Sequence, residues 1–263
     1  MSAYLGRRGL DQLRERLSER DLTIMRSVRE HRFLTARQIE QFHFVEHCTD
    51  EAGARVCRRV LARLTRERLL ARLQRRVGGV RAGSASFVYV LGPVGGRLLD
   101  ETRRRFTEPS PLFLDHTLAV ADAHVALAGA ARRGQLELLS VDVEPSCWRR
   151  YIGSGGASEI VRPDLYAVTA SGVFEHCWFL EIDRGTESPA AISRKCVAYG
   201  AYWRTGREQE THGTFPLVTW VAPDDQRAKR LTAVISSARN VKRDLFHVTT
   251  SERLVELMAG GAA

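Results

Sequence analysis

The sequence predicts a mixed α/β protein in two parts, and three observations carry that expectation. Charge is divided unevenly along the chain, the first 110 residues run as three helices and then a basic hairpin, and from about residue 115 strands alternate with helices. At 263 residues the chain can bury a substantial core in one large domain or two modest ones. The segment "TEPSPLF", with its two prolines, is the best linker, so domains of 1–110 and 111–263 are expected.

The charge division limits the partners. Residues 1–110 hold 23 Arg and no Lys against 13 acidic residues, a net +10, whereas the remainder has 17 basic against 18 acidic residues, a net −1. A cationic half beside a neutral one points to a polyanion partner for the first half. No apolar run approaches the ~20 residues that span a bilayer, and "MSAYLGRRGLDQLRERL" has no apolar signal segment, so a cytoplasmic chain with no membrane partner is expected. Cys48, Cys57, Cys147, Cys177 and Cys196 include no CxxC pair and sit mostly in apolar surroundings, which predicts reduced core thiols.

Taken in order, Ser18 is placed to cap a helix running to about Arg32, with Leu22, Met25 and Val28 on one face. In "LTARQIEQF", Thr35 and Gln38 have the spacing of a capping box, and Leu34 can meet Ile39 as a staple, so a short second helix starts there. A third helix begins near Asp50, with Cys57, Val60, Leu61 and Leu64 as its apolar stripe. At ~100° per residue, Arg55, Arg59, Arg63 and Arg66 fall together on roughly the opposite side. "LLARLQRR" and "SFVYVLG" read as strands of a hairpin decorated by Arg75, Arg76 and Arg81. Three helices and a basic hairpin is the order of a winged helix-turn-helix, whose third helix would enter the major groove of duplex DNA. Arg37, Gln38 and Arg58 complete the expected DNA-contacting set. A solvated arginine face on an ordinary helical domain is the alternative. One more helix in "GPVGGRLLDETRRRF" is expected to close the module.

The second part reads as a helix (115–133), the strand "LELLSVDVE", an irregular loop holding "GSGGASE", a hairpin, and a helix (187–205). The strand "FPLVTWVA", a helix (225–239), the strand "LFHVTT" and a last helix follow. A two-residue turn at Ser171-Gly172 would set Asp164 opposite Phe179. With a side-chain period of two, Asp164, Glu181 and Asp183 then share one face. Like charges held in a partly dry place repel, so something must offset them. A Mg²⁺ or Mn²⁺ ion would do so, and so would arginines such as Arg162, Arg184 and Arg194. Trp203, within "AYGAYWRTG", is open to two roles, stacking on a base or packing in the core.

"RPDLYAV…FLEIDRGTES", with a helix before and an amphipathic helix after, resembles the core of the PD-(D/E)xK nuclease superfamily. Together with "LTARQIEQFHF" and "DHTLAVADAHVAL", the chain from about residue 20 to 250 resembles the replication-relaxation family of plasmid and mobile-element proteins. The resemblance implies a restriction-endonuclease-like domain with a central mixed sheet, in which Asp164 and Glu181 would ligate Mg²⁺. Asp183 stands where such nucleases carry a lysine, a departure. Lys195 or Arg194 on the following helix would substitute for it, or Asp183 would serve as an extra metal ligand. The expected function is a duplex-DNA-binding accessory protein with a replication or conjugation partner. Homodimerisation, a metal-dependent nickase and a transcriptional regulator are the alternatives.

Overall fold

The computed structural model describes residues 6–46, 49–77, 86–100, 108–238 and 241–260, in two compact units, 1–125 and 126–263. The division falls inside a long helix rather than at residue 110. The first unit opens with α1 (Arg7–Arg16) and α2 (Glu19–His31). Ser18 caps α2 in a reciprocal box with Asp21. After the two-residue β1 (Leu34–Thr35), Thr35 and Gln38 form the expected second box at the start of α3 (Ala36–His43). Each box satisfies two backbone N–H groups that a helix start leaves without partners. Next come α4 (Asp50–Arg66), β2 (Leu70–Val77), β3 (Ser86–Leu91) and α5 (Pro93–Asp100).

The three strands form an antiparallel sheet in the order β1-β3-β2. Ile24, Met25 and Val28 of α2, Leu34 and Ile39 around α3, and Cys57, Leu61 and Leu64 of α4 pack with Leu70 and Tyr89 into one core. Full burial of each such aliphatic side chain is worth about 1.5–3 kcal/mol, so the predicted apolar stripes hold these three helices together. The long α6 (Pro111–Arg132) begins in this unit, where Leu114 and Leu118 pack with Phe33, Leu73, Val88 and Val90.

The second unit continues with β4 (Glu137–Val143), β5 (Arg149–Ile152), β6 (Ser158–Val161), β7 (Leu165–Ser171) and β8 (Phe174–Ile182). It ends with α7 (Pro189–Trp203), α8 (Arg207–His212), β9 (Leu217–Ala222), α9 (Asp225–Ser237), β10 (Phe246–Thr250) and α10 (Leu254–Gly260). Five strands form a mixed sheet, β10-β9-β8-β7-β4; β8, β9 and β10 run parallel, and β7 and β4 pair antiparallel. The parallel strands are connected through α7 and α9, and Ile192, Cys196, Leu231 and Ile235 of these helices bury Trp220 and Ala222 of β9. "GSGGASE", expected as an irregular loop, is instead the turn of the separate β5–β6 hairpin. Sequence patterning also missed the short α8.

The β7–β8 register departs from the predicted one. Ser171 pairs with Phe174 and Leu165 with Leu180, so the turn is Gly172–Val173, with Gly172 at a φ of 61°, a conformation glycine adopts at little cost. The pairing is shifted by two residues from the prediction. Because side chains alternate with a period of two, that shift leaves every residue on its predicted face. Asp164, just before β7, donates its amide to Leu180 O at 3.0 Å.

Candidate functional sites

In the first unit, α4 presents Arg55, Arg58, Arg59 and Arg66 exposed, and Arg37 is exposed on α3. Arg63 is turned inward. Its Nη2 donates to Asp21 Oδ1 at 2.6 Å, across from the start of α2. Burial alone would push the Asp21 carboxyl up, but the bond from Arg63 and those from Ser18 outweigh it and hold the pKa down. Gln38 is likewise internal at 3% exposure. Its Oε1 accepts from the Thr35 amide at 2.8 Å while Nε2 donates to Leu118 O at 2.9 Å and Asp122 Oδ1 at 2.7 Å. Two residues expected to touch DNA are therefore parts of the unit's internal bonding. Arg75 and Arg76 lie on β2, their side chains outside the described set, and Arg81 falls outside the described residues.

Also in this unit, His31 Nε2 lies 3.1 Å from His124 Nδ1, and Phe42 stacks on the His31 ring and meets the His124 ring edge-on. Burial holds the His31 pKa down to about 3, with the neighbouring His124 adding to it, and burial holds His124 down to about 4. The pair is neutral at ordinary pH.

The acidic residues of the second unit lie where β8 is most enclosed. From Cys177 to Ile182 every residue of this strand is buried, as expected for a strand covered on both faces. Glu181 is 1% exposed, and a carboxyl group in that setting needs bonding partners. Tyr199 Oη donates to its Oε1 at 2.6 Å and Lys195 Nζ to its Oε2 at 2.8 Å. Lys195 also donates to Glu187 Oε1 at 2.6 Å. Burial pushes the Glu181 pKa up to about 7, against Lys195 and with the Asp164 charge. Burial works against the Lys195 ammonium, yet Glu181 and Asp164 pull its pKa up on balance.

Asp164 accepts the Ile182 amide at 2.7 Å through Oδ2. Asp183 faces another way electrostatically. Arg227 of α9 grips it with two bonds, Nε to Oδ2 at 2.7 Å and Nη2 to Oδ1 at 2.9 Å, and the Gly185 amide adds a third. The arginine that offsets it is thus none of Arg162, Arg184 or Arg194. Sequence spacing could have shown Tyr199, four residues after Lys195 on the same helix face. Arg227, 44 residues beyond Asp183, carries no local signal.

The expected metal site is tested by these bonds. A hard cation needs several carboxylate or carbonyl oxygens pointing at one place. Here both oxygens of Glu181 and of Asp183 are engaged by protein donors, and among the described residues no three His, Cys, Asp or Glu side chains converge to hold an ion. As arranged, these residues do not fit Mg²⁺ or Mn²⁺. Among the described cysteines, Cys57, Cys147, Cys177 and Cys196 are buried free thiols.

An arginine-faced helical unit and a mixed-sheet unit with an internal charge network define a mixed α/β protein of two dissimilar parts. The chain belongs to the replication-relaxation family, whose profile matches residues 25–218. Searches of curated proteins and of solved structures give no match. Among the described residues, no helix is long and apolar enough to cross a membrane.

Proposed function

We propose that this chain is a cytoplasmic duplex-DNA-binding accessory of plasmid or mobile-element replication or relaxation. In this proposal the first unit is a winged helix-turn-helix and the second a nuclease-like scaffold that works without hydrolysis. The observation that carries it is the exposed arginine face of α4. Its support is the order α2, β1, α3, α4, β2, β3 with sheet order β1-β3-β2, which sets α4 as the helix for the major groove and the β2–β3 hairpin as the wing. Exposed guanidinium groups fork onto phosphates and guanine edges. The second unit, in which Asp164 follows Pro163 and accepts the Ile182 amide next to Glu181, would supply the nuclease-like frame, and a replication or conjugation protein is the partner this arrangement suits.

The test is a gel shift of a labelled duplex across a salt series. Arg55→Ala/Arg59→Ala should weaken binding and lower the slope of log affinity against log salt by about 1.8, from the ~0.9 lost per phosphate contact. An unchanged slope would remove α4 from the interface. Nicking of supercoiled plasmid with Mn²⁺ or Mg²⁺ that disappears in Glu181→Ala would replace this reading with a metal-dependent nickase.

A further inference from the structure

The second unit is neutral as a whole, yet its cations are not evenly spread. On β5, Arg149 and Tyr151 point inward: Arg149 Nε bonds Glu208 Oε1 at 3.0 Å, and Tyr151 is buried against Tyr202. Alternation therefore puts Arg150 on the outer face, while Trp148, just before the strand, packs against the core around Tyr151, and Arg162 is one step beyond the Arg149–Val161 pair. The Arg162 guanidinium lies 5.3 Å from the centre of the half-buried Trp148 indole. At the other end, Arg207 Nη1 donates to Arg150 O at 3.0 Å, which ties α8 to β5. The turn before α8 is fixed by Gln209 Nε2 donating to Trp203 O at 3.1 Å, and Lys242 Nζ lies 4.8 Å above the half-buried Trp203 ring.

The result is a strip with a tryptophan under a cation at each end and arginines between. Arg150, Arg162, Arg207 and Lys242 are all exposed. The nearby acids do not cancel it. Glu208 is 4% exposed and bonded to Arg149 and Tyr202, Glu159 accepts from Tyr151, and Asp244 reaches Lys242 only at 3.8 Å. Glu210 is an exposed acid next to the turn. The strip is also separate from the Lys195–Glu181 pair: Trp203 is eight residues further along α7, about 12 Å at 1.5 Å per residue.

We propose that this strip binds single-stranded DNA, with bases stacking on Trp203 and Trp148 in place of the cations now over them. The cations freed by stacking, with Arg150 and Arg207, would then meet the phosphates. A duplex keeps its base faces covered and offers phosphates alone. The paired indoles are thus the feature that favours a single strand, for which stacking is sequence-tolerant. The inference goes beyond the duplex reading and does not depend on α4.

The experiment uses the full chain and fluorescence anisotropy of a labelled oligo(dT), with a duplex of the same length in parallel. Trp203→Ala should weaken oligo(dT) binding about tenfold, within the ~1–3 kcal/mol seen per stacked base. Trp203→Phe, which keeps a ring, should restore most of that affinity. Arg150→Ala/Arg207→Ala should lower the single-strand salt slope by about 1.4, from the ~0.7 lost per phosphate. Duplex affinity should be unchanged in all three variants, while Arg55→Ala/Arg59→Ala should leave oligo(dT) binding intact. Absence of oligo(dT) binding by the unaltered chain, or its loss only through the α4 arginines, would overturn the proposal. Equal loss of duplex and single strand in the Trp203 and Arg150/Arg207 variants would overturn it too and assign the strip to duplex phosphates.

Discussion

Arginine is used in two opposite ways, and the balance differs between α4 and the sheet unit. On α4 it stands outward, with Arg55, Arg58, Arg59 and Arg66 exposed, and only Arg63 turns in to meet an acid. In the sheet unit two arginines face inward, Arg227 holding Asp183 and Arg149 holding Glu208, while Arg150, Arg162 and Arg207 stand outward. Net charge per unit therefore misses the main point. An arginine belongs to a partner or to the interior according to whether a buried carboxylate lies within its reach. Breaking an inward pair should harm the fold, whereas removing an outward one should harm recognition.

The largest effect follows from Arg227→Ala. Asp183, with its side chain fully buried, would keep one amide donor, and the loss should be about 3–5 kcal/mol, the usual cost of stripping one partner from a buried pair. Urea unfolding measures it. A loss below about 1 kcal/mol would be of surface-pair size and would break the contrast drawn above.

Acid should separate the units by sign. The folded His31 and His124 pKa values of about 3 and about 4 lie below the ordinary 6.5, so their contribution is complete above pH 6.5 and fades as pH falls toward those values. Glu181, raised from 4.5 to about 7, favours the protonated form when folded. Its burial penalty is therefore relieved as pH drops through 7 toward 4.5. Hydrogen exchange, corrected for intrinsic rate, should show α2 and α3 losing protection between pH 6.5 and 4 before β8 does. The reverse order would contradict the assignment of charge states.

Smaller again is Gln38→Ala, which removes three hydrogen bonds and leaves the Thr35 amide without its side-chain acceptor. A loss of about 1–3 kcal/mol is expected from a donor that loses its acceptor. Thermal melting of the variant checks it.

Much of this was legible in the sequence because it is written in local periods. The capping boxes at Ser18 and Thr35, the stripe Cys57–Leu61–Leu64 and the alternation of β8 each need only a few neighbouring residues. Residues of β7 and β8 keep their predicted faces despite the shifted turn because the shift is an even number of residues. What escaped was set by tertiary proximity. Arg227 reaches Asp183 from a helix that follows three further elements, and Asp21 takes Arg63 off the arginine stripe. Gln38 was assigned to DNA because helix-turn-helix position was considered without asking what α6 would bring against it.

The side chain of Gln38 serves two customers with its two ends, an acceptor for the Thr35 amide and a donor for Leu118 O and Asp122. Glutamate would keep the helix start intact but turn an oxygen toward a carbonyl and a carboxylate. Leucine would fill the space and leave both ends unserved. Evolutionary drift at this position is thus confined to a side chain that is electropositive on one tip and electronegative on the other, and an alignment of relatives that retain the α6 contact should show an amide there.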